Sequence, residues 1–68
     1  MDKEPLEALR EACFRAGSQS ALARILDVDV AAISQWKSKR IPAERVLPIE
    51  RATGVRRERL RPDLYPHD

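Results

Sequence analysis

The sequence predicts an all-α fold, a small bundle of four or five helices built around a helix-turn-helix. Three observations carry that expectation. Apolar residues recur at three- and four-residue spacing, and no stretch alternates cleanly with a period of two. Gly17 and Gly54 stand where helices of ordinary length would stop. Gln19–Ser38, QSALARILDVDVAAISQWKS, reads as two short amphipathic helices, and the Asp27-Val28-Asp29 link between them leaves room only for a turn. A β-hairpin within residues 41–65, giving an α+β fold, is the minor alternative.

The first helix is expected over Met1–Ala16. Glu4-Pro5 suits its opening turn, where proline is tolerated and an acidic side chain meets the positive end of the helix dipole. Leu6, Leu9 and Cys13 fall at i, i+3 and i+7, with Ala12 and Ala16 beside them, and Cys13 reads as a small buried hydrophobe. Gly17 ends this helix in a left-handed conformation, and Ser18 caps the next, Gln19–Leu26. Leu22, Ala23, Ile25 and Leu26 supply its apolar residues, with Ala23 small enough for a close helix crossing. Asp27 occupies a turn position that favours glycine. Asp29 caps the third helix, Val30–Lys37, whose Val30, Ile33 and Trp36 share one side.

Pro42-Ala43-Glu44 reads as the opening of a fourth helix running to Thr53, with Gly54 as its stop. Val46, Leu47 and Ile49 are its apolar contribution. Pro48 leaves two readings open: a kink in one helix, or a separate turn at Pro42–Arg45 with the helix starting at Pro48. Arg56–Leu60 reads as a short fifth helix, and Leu60, Leu64 and Tyr65 as core or dimer contacts. Residues 1–68 are taken as one domain, with 55–68 a dimerisation segment or tail.

At 68 residues the chain supports one modest core, and 43% hydrophobic with 35% charged residues is a globular composition. One cysteine excludes an internal disulfide, and no apolar run approaches a membrane span. The expectation is a cytoplasmic protein of a bacterium or phage, without membrane association. The net charge of +2 is unevenly placed: residues 1–27 balance to −1, residues 28–45 to +2 and residues 46–68 to +1. The basic excess begins at the third helix, where it suits phosphate.

The face of the third helix opposite Ile33 and Trp36 carries Ala31, Ser34, Gln35 and Ser38. A merely solvated helix tends to carry Lys and Glu, whereas small uncharged side chains let a helix enter a major groove. There Gln can pair bidentately with adenine and an Ala methyl can touch thymine. Asp29 and Val30 at the leading end complete the candidate base-contacting set. Candidate phosphate contacts are Ser18, Gln19 and Ser20 at the start of the second helix, and Lys37, Lys39 and Arg40 after the third. Arg45 is a weaker candidate. Arg56, Arg57, Arg59 and Arg61 form a basic cluster that reads as a solvated or dimer-rim face.

On these residues Gln19–Ser38 resembles the helix-turn-helix of phage Cro and repressor proteins. Gln19 opens it, Ala23 is the crossing residue, Val28 and Ile33 are the buried positions, and Ile33-Ser34-Gln35-Trp36-Lys37 matches a frequent ending of the recognition helix. The segments Ile41–Arg45, Ile49–Gly54 and Leu60–Asp63 extend the resemblance to Cro-like and YdaS-like regulators over about residues 17–66. Asp27 departs from the family's usual Gly, and Val55-Arg56 from a common Thr cap before the last helix. The resemblance implies a lambda-repressor-like bundle and a transcriptional repressor that binds a palindromic operator in double-stranded DNA as a homodimer. Alternatives are the antitoxin or DNA-binding regulator of a toxin–antitoxin pair, and a helical protein-interaction module. Catalysis has little support: His67 is the single histidine, and neither a phosphate-cradling glycine loop nor a nucleophile–base pair occurs. No metal, cofactor or small-molecule ligand is expected.

Overall fold

The second and third helices begin at side chains that satisfy backbone groups a helix terminus leaves open, and the second and fourth end on left-handed residues. The structure, a computed structural model, describes residues 3–66. It contains α1 (Lys3–Ala16), α2 (Gln19–Leu26), α3 (Val30–Ser38), α4 (Ala43–Thr53) and α5 (Arg57–Leu60), with no strand among the described residues. The all-α expectation therefore holds and the hairpin alternative does not. Met1, Asp2, His67 and Asp68 lie outside the described residues.

Pro5 sits in the first turn of α1, where its missing N–H removes no helical hydrogen bond. Gly17 follows the helix at φ +115°, a backbone conformation that a side chain would strain. Ser18 then accepts a hydrogen bond from the Ala21 N–H at 2.9 Å, which caps α2. At the other end Asp27 is left-handed, φ 58° and ψ 49°, as a glycine would be. Its N–H donates to the Arg24 carbonyl and that of Val28 to the Ala23 carbonyl, the paired closure of a Schellman motif. Arg45 adds a hydrogen bond to the Leu26 carbonyl at 3.3 Å. Aspartate thus makes the turn in place of glycine, and the helix-turn-helix forms. Asp29 accepts from the Ala31 N–H at 2.9 Å and caps α3.

Of the two readings open at Pro48, the structure takes one continuous helix with Pro48 inside it. Proline's missing donor leaves the carbonyl of Glu44 without its usual helical partner, and Glu44 is an exposed residue in the first turn. Gly54 closes α4 at φ 81°, donating to the Glu50 carbonyl at 2.8 Å. The cap of α5 comes from outside its own segment. Arg56 supplies no side-chain cap, but the Glu50 carboxylate on α4 accepts from the Arg57 N–H at 2.8 Å. That bond takes the place of a side-chain cap from Arg56 and ties α5 to α4.

One core joins the elements: Leu9, Leu22, Ile33, Val46, Ile49, Val55 and Leu60 are fully buried, with Ala8, Ala12, Cys13, Ala23, Leu26 and Ile41 around them. Burial of a large apolar side chain contributes about 1.5–3 kcal/mol, so these positions dominate stability. The Cys13 thiol, buried as expected, has its pKa raised by desolvation.

Three apolar residues depart from their expected places. Ile25 is 55% exposed, because the buried stripe of α2 runs through Leu22, Ala23 and Leu26, and Ile25 lies a full 100° step from Leu26. Val30 is exposed at the leading end of α3, so Ile33 carries the inward face with Trp36 half-buried beside it. Leu64 is exposed, whereas Leu60 is buried and Tyr65 packs on the core with the Arg57 guanidinium over its ring.

α1 packs against α2, α4 and α5, while the substantial helix packing of α3 is with α2 alone. The third helix is consequently held at one edge of the bundle, with most of its circumference uncovered.

Candidate nucleic-acid interface

Ile33 is the single fully buried residue of α3, and this fixes which way the helix faces. With Ile33 inward, Ala31, Ser34, Gln35 and Ser38 are all exposed, as is Asp29 before them. The expected base-facing set is therefore brought together on one surface, with Val30 joining it at the leading end. Among the described residues no hydrogen bond holds the Gln35 side chain, whose amide is free to meet a partner. Ser38 turns its hydroxyl back towards the Ser34 and Gln35 carbonyls, each at 3.4 Å. The Asp29 carboxylate is engaged at the cap.

Gln19 has a place the sequence did not indicate. From the first position of α2 its amide nitrogen donates to the Ser34 hydroxyl at 2.8 Å and to the Val30 carbonyl at 3.2 Å. Its amide oxygen accepts from the Lys37 ammonium at 2.6 Å. One side chain thus ties α2 to three successive turns of α3 and fixes the rotation of the outward face. Three residues from two expected roles, Gln19, Ser34 and Lys37, form one chain of hydrogen bonds. No local signal reveals it, because the partners are 15 and 18 positions away in sequence.

The cations divide into two groups. In the C-terminal cluster every arginine is paired with a carboxylate: Arg56 with Glu58 and Glu50, Arg57 with Glu50, Arg59 with Glu11, and Arg61 with Asp63. The Arg59 hydrogen bond holds the Glu11 carboxyl below its usual pKa, and that of Arg61 lowers Asp63 to about 2. This cluster is a set of intramolecular ion pairs rather than an open basic patch. After α3 the charge is less compensated. Lys39 is exposed and in no ion pair among the described residues, Lys37 meets only a neutral amide oxygen, and Arg40 reaches Asp63 loosely at 3.4 Å. Ser18 and Ser20 are exposed at the start of α2, Ser18 with its hydroxyl in the cap. Arg45, by contrast, is directed to the α2 carboxyl end.

A short helix pair with a left-handed turn, and a second helix held at the edge of a bundle with an open polar face, defines a helix-turn-helix protein. The chain belongs to the YdaS family: residues 9–68 match the family profile described as "Bacterial toxin YdaS". It is also 44% identical over 61 residues to "Putative transcriptional regulator YdaS" of Escherichia coli (strain K12), an alignment covering 84% of this chain and 62% of that protein. The chain thus spans under two thirds of that relative's length. No solved structure matches the chain significantly.

Proposed function

We propose that the protein is a sequence-specific DNA-binding transcriptional regulator, with α3 as the helix that enters the major groove. The observation that carries this reading is the exposed, uncharged face of Ala31, Ser34 and Gln35, oriented by Gln19 and followed at once by Lys37, Lys39 and Arg40. A groove-reading helix needs small hydrogen-bonding side chains along its face and cations where the phosphates pass. Asp29 and Val30 lead, and Ser38 closes, the base-facing surface. Ser18, Gln19 and Ser20 present the amino end of α2 to a phosphate. The description of the Escherichia coli relative as "Putative transcriptional regulator YdaS" supports the same reading.

In this reading residues 1–68 act as one domain, and two copies bind a palindromic operator as a Cro-type repressor dimer. Their recognition helices lie about 34–36 Å apart, one turn of the duplex. A single module of this size buries limited surface, so two copies are needed for useful affinity. The test is a gel shift at low salt with random duplex DNA, followed by selection of bound sites from a random pool. Retardation and an enriched palindrome are expected. No retardation at micromolar protein contradicts DNA binding and favours a protein-interaction module. The family description as a toxin favours a second reading, a DNA-binding member of a toxin–antitoxin pair. Growth arrest on expression, relieved by one neighbouring gene, distinguishes that case.

A further inference from the structure

Trp36, the one tryptophan of the chain, packs against the core and also lines a cleft of about 430 Å3. The cleft lies between the first turn of α1, the carboxyl end of α3 and the segment after α5. Leu6, Trp36, Ile41 and Pro62 give it apolar walls. Its volume is within the range of small-molecule sites, roughly 300–1,000 Å3. Four cations border it, Lys37, Lys39, Arg40 and Arg61, against one carboxylate, Asp63. Arg61 is already satisfied: it donates to the Ile41 carbonyl at 2.7 Å and pairs with Asp63 at 2.7 Å. That leaves Lys39 outside any ion pair among the described residues, and Arg40 held only by its loose 3.4 Å contact to Asp63, as exposed positive charge beside an apolar hollow.

We propose that this cleft is an effector site for a small amphipathic anion, a flat apolar body bearing one carboxylate or sulfonate. The body lies along Trp36 and Leu6, and the anionic group sits between Lys39 and Arg40. A neutral apolar ligand leaves the rim cations unanswered, and a bare inorganic anion leaves the walls wet, so the site selects for both features together. Occupancy reaches the outward face of α3 through charge: an anion here neutralises Lys39 and Arg40, the exposed cations that directly follow that face. The effector role rests on the DNA-binding function proposed above; the binding site itself does not. Such a site runs against the expectation, drawn from the sequence, of no small-molecule ligand.

The test is a titration of the full chain, without DNA, with 1-anilinonaphthalene-8-sulfonate, read by energy transfer from Trp36. One molecule per chain is expected to bind, with Kd on the order of tens of micromolar. Neutral N-phenyl-1-naphthylamine and inorganic phosphate should each bind about tenfold more weakly. The double variant Lys39→Gln/Arg40→Gln should weaken the sulfonate about fivefold with its thermal unfolding unchanged. Absence of saturable transfer, equal binding of the neutral probe, or an unaffected double variant overturns the site. So does a Trp36 signal that depends on protein concentration alone, which would mean that a second copy covers the cleft. With bound DNA present, the sulfonate should release it; saturable binding without release overturns the effector role. If the protein binds no DNA, the function proposed above fails, and the titration still reads the site.

Discussion

Replacing Gln19 by alanine removes the side chain that holds α3 to α2 while leaving the core untouched. The lost bonds are those to the Ser34 hydroxyl and from the Lys37 ammonium, at 2.8 and 2.6 Å, with a longer one to the Val30 carbonyl. A neutral intramolecular hydrogen bond contributes about 0.5–1.5 kcal/mol net and one to a charged group about 1.5–3 kcal/mol. Ser34 is exposed and Lys37 half-buried, so water replaces the lost partners and the low end of each range applies. The expected cost is about 2 kcal/mol, a fall in Tm of about 8–16 °C for a domain of this size. Because α3 packs substantially only on α2, its orientation should loosen more than the fold does. Specific DNA binding should therefore fall about tenfold, and non-specific binding less. Circular dichroism melting and fluorescence anisotropy measure the two effects. A double-mutant cycle with Ser34→Ala should show coupling of about 0.5–1 kcal/mol. Strict additivity, with Tm and specific affinity unchanged, would refute the positioning role of Gln19.

Asp27→Gly should stabilise the protein by about 0.5–1 kcal/mol, since the left-handed turn at φ 58° strains any residue with a Cβ; a lowered Tm in calorimetry would contradict this. Lys39→Ala should weaken binding to all DNA sequences and reduce the slope of log K against log salt by about 0.9, and an unchanged slope rejects its phosphate contact. The Asp63 carboxyl is lowered from 3.8 to about 2, chiefly by the Arg61 hydrogen bond. A depressed folded-state pKa contributes stability that is complete above the unfolded value and is lost as pH falls through the folded one. Urea midpoints should therefore drop between about pH 4 and pH 2, with Glu11 and Glu58 adding to the same acid limb. Asp63→Asn should shallow that drop, and an identical acid profile would show that the ion pair contributes nothing.

What the sequence shows of this fold is what is decided within a few residues. Ser18 and Asp29 cap the helices they directly precede, and Gly17 and Gly54 stop the ones they follow. The two-helix motif was legible because its caps, its turn and its stripe of Leu22, Ala23 and Leu26 are all local. Ile25 was misplaced because counting apolar residues does not give the width of the buried stripe. The cap of α5 was invisible because Glu50 reaches it from seven positions back, on another helix. The arginine cluster read as a solvated or dimer-rim face, and its ion pairs were not legible because its partners are set by packing: Glu11 lies 48 positions from Arg59. The same holds at the candidate interface. The outward set on α3 follows from helical period alone, whereas the Gln19 tie that orients it appears only when α2 and α3 are placed side by side.

The central claim is that α3 reads bases through its open face, and Gln35 tests it most directly. The residue is exposed and no hydrogen bond engages its amide among the described residues, so Gln35→Ala should leave the fold and its Tm intact. Binding of this variant to a selected operator and to its single-base variants should be measured beside the parent protein. The expected result is a loss of about 1–3 kcal/mol on the operator, relaxed preference at one position of each half-site, and unchanged affinity for random DNA. Equal losses on specific and random DNA would contradict the claim.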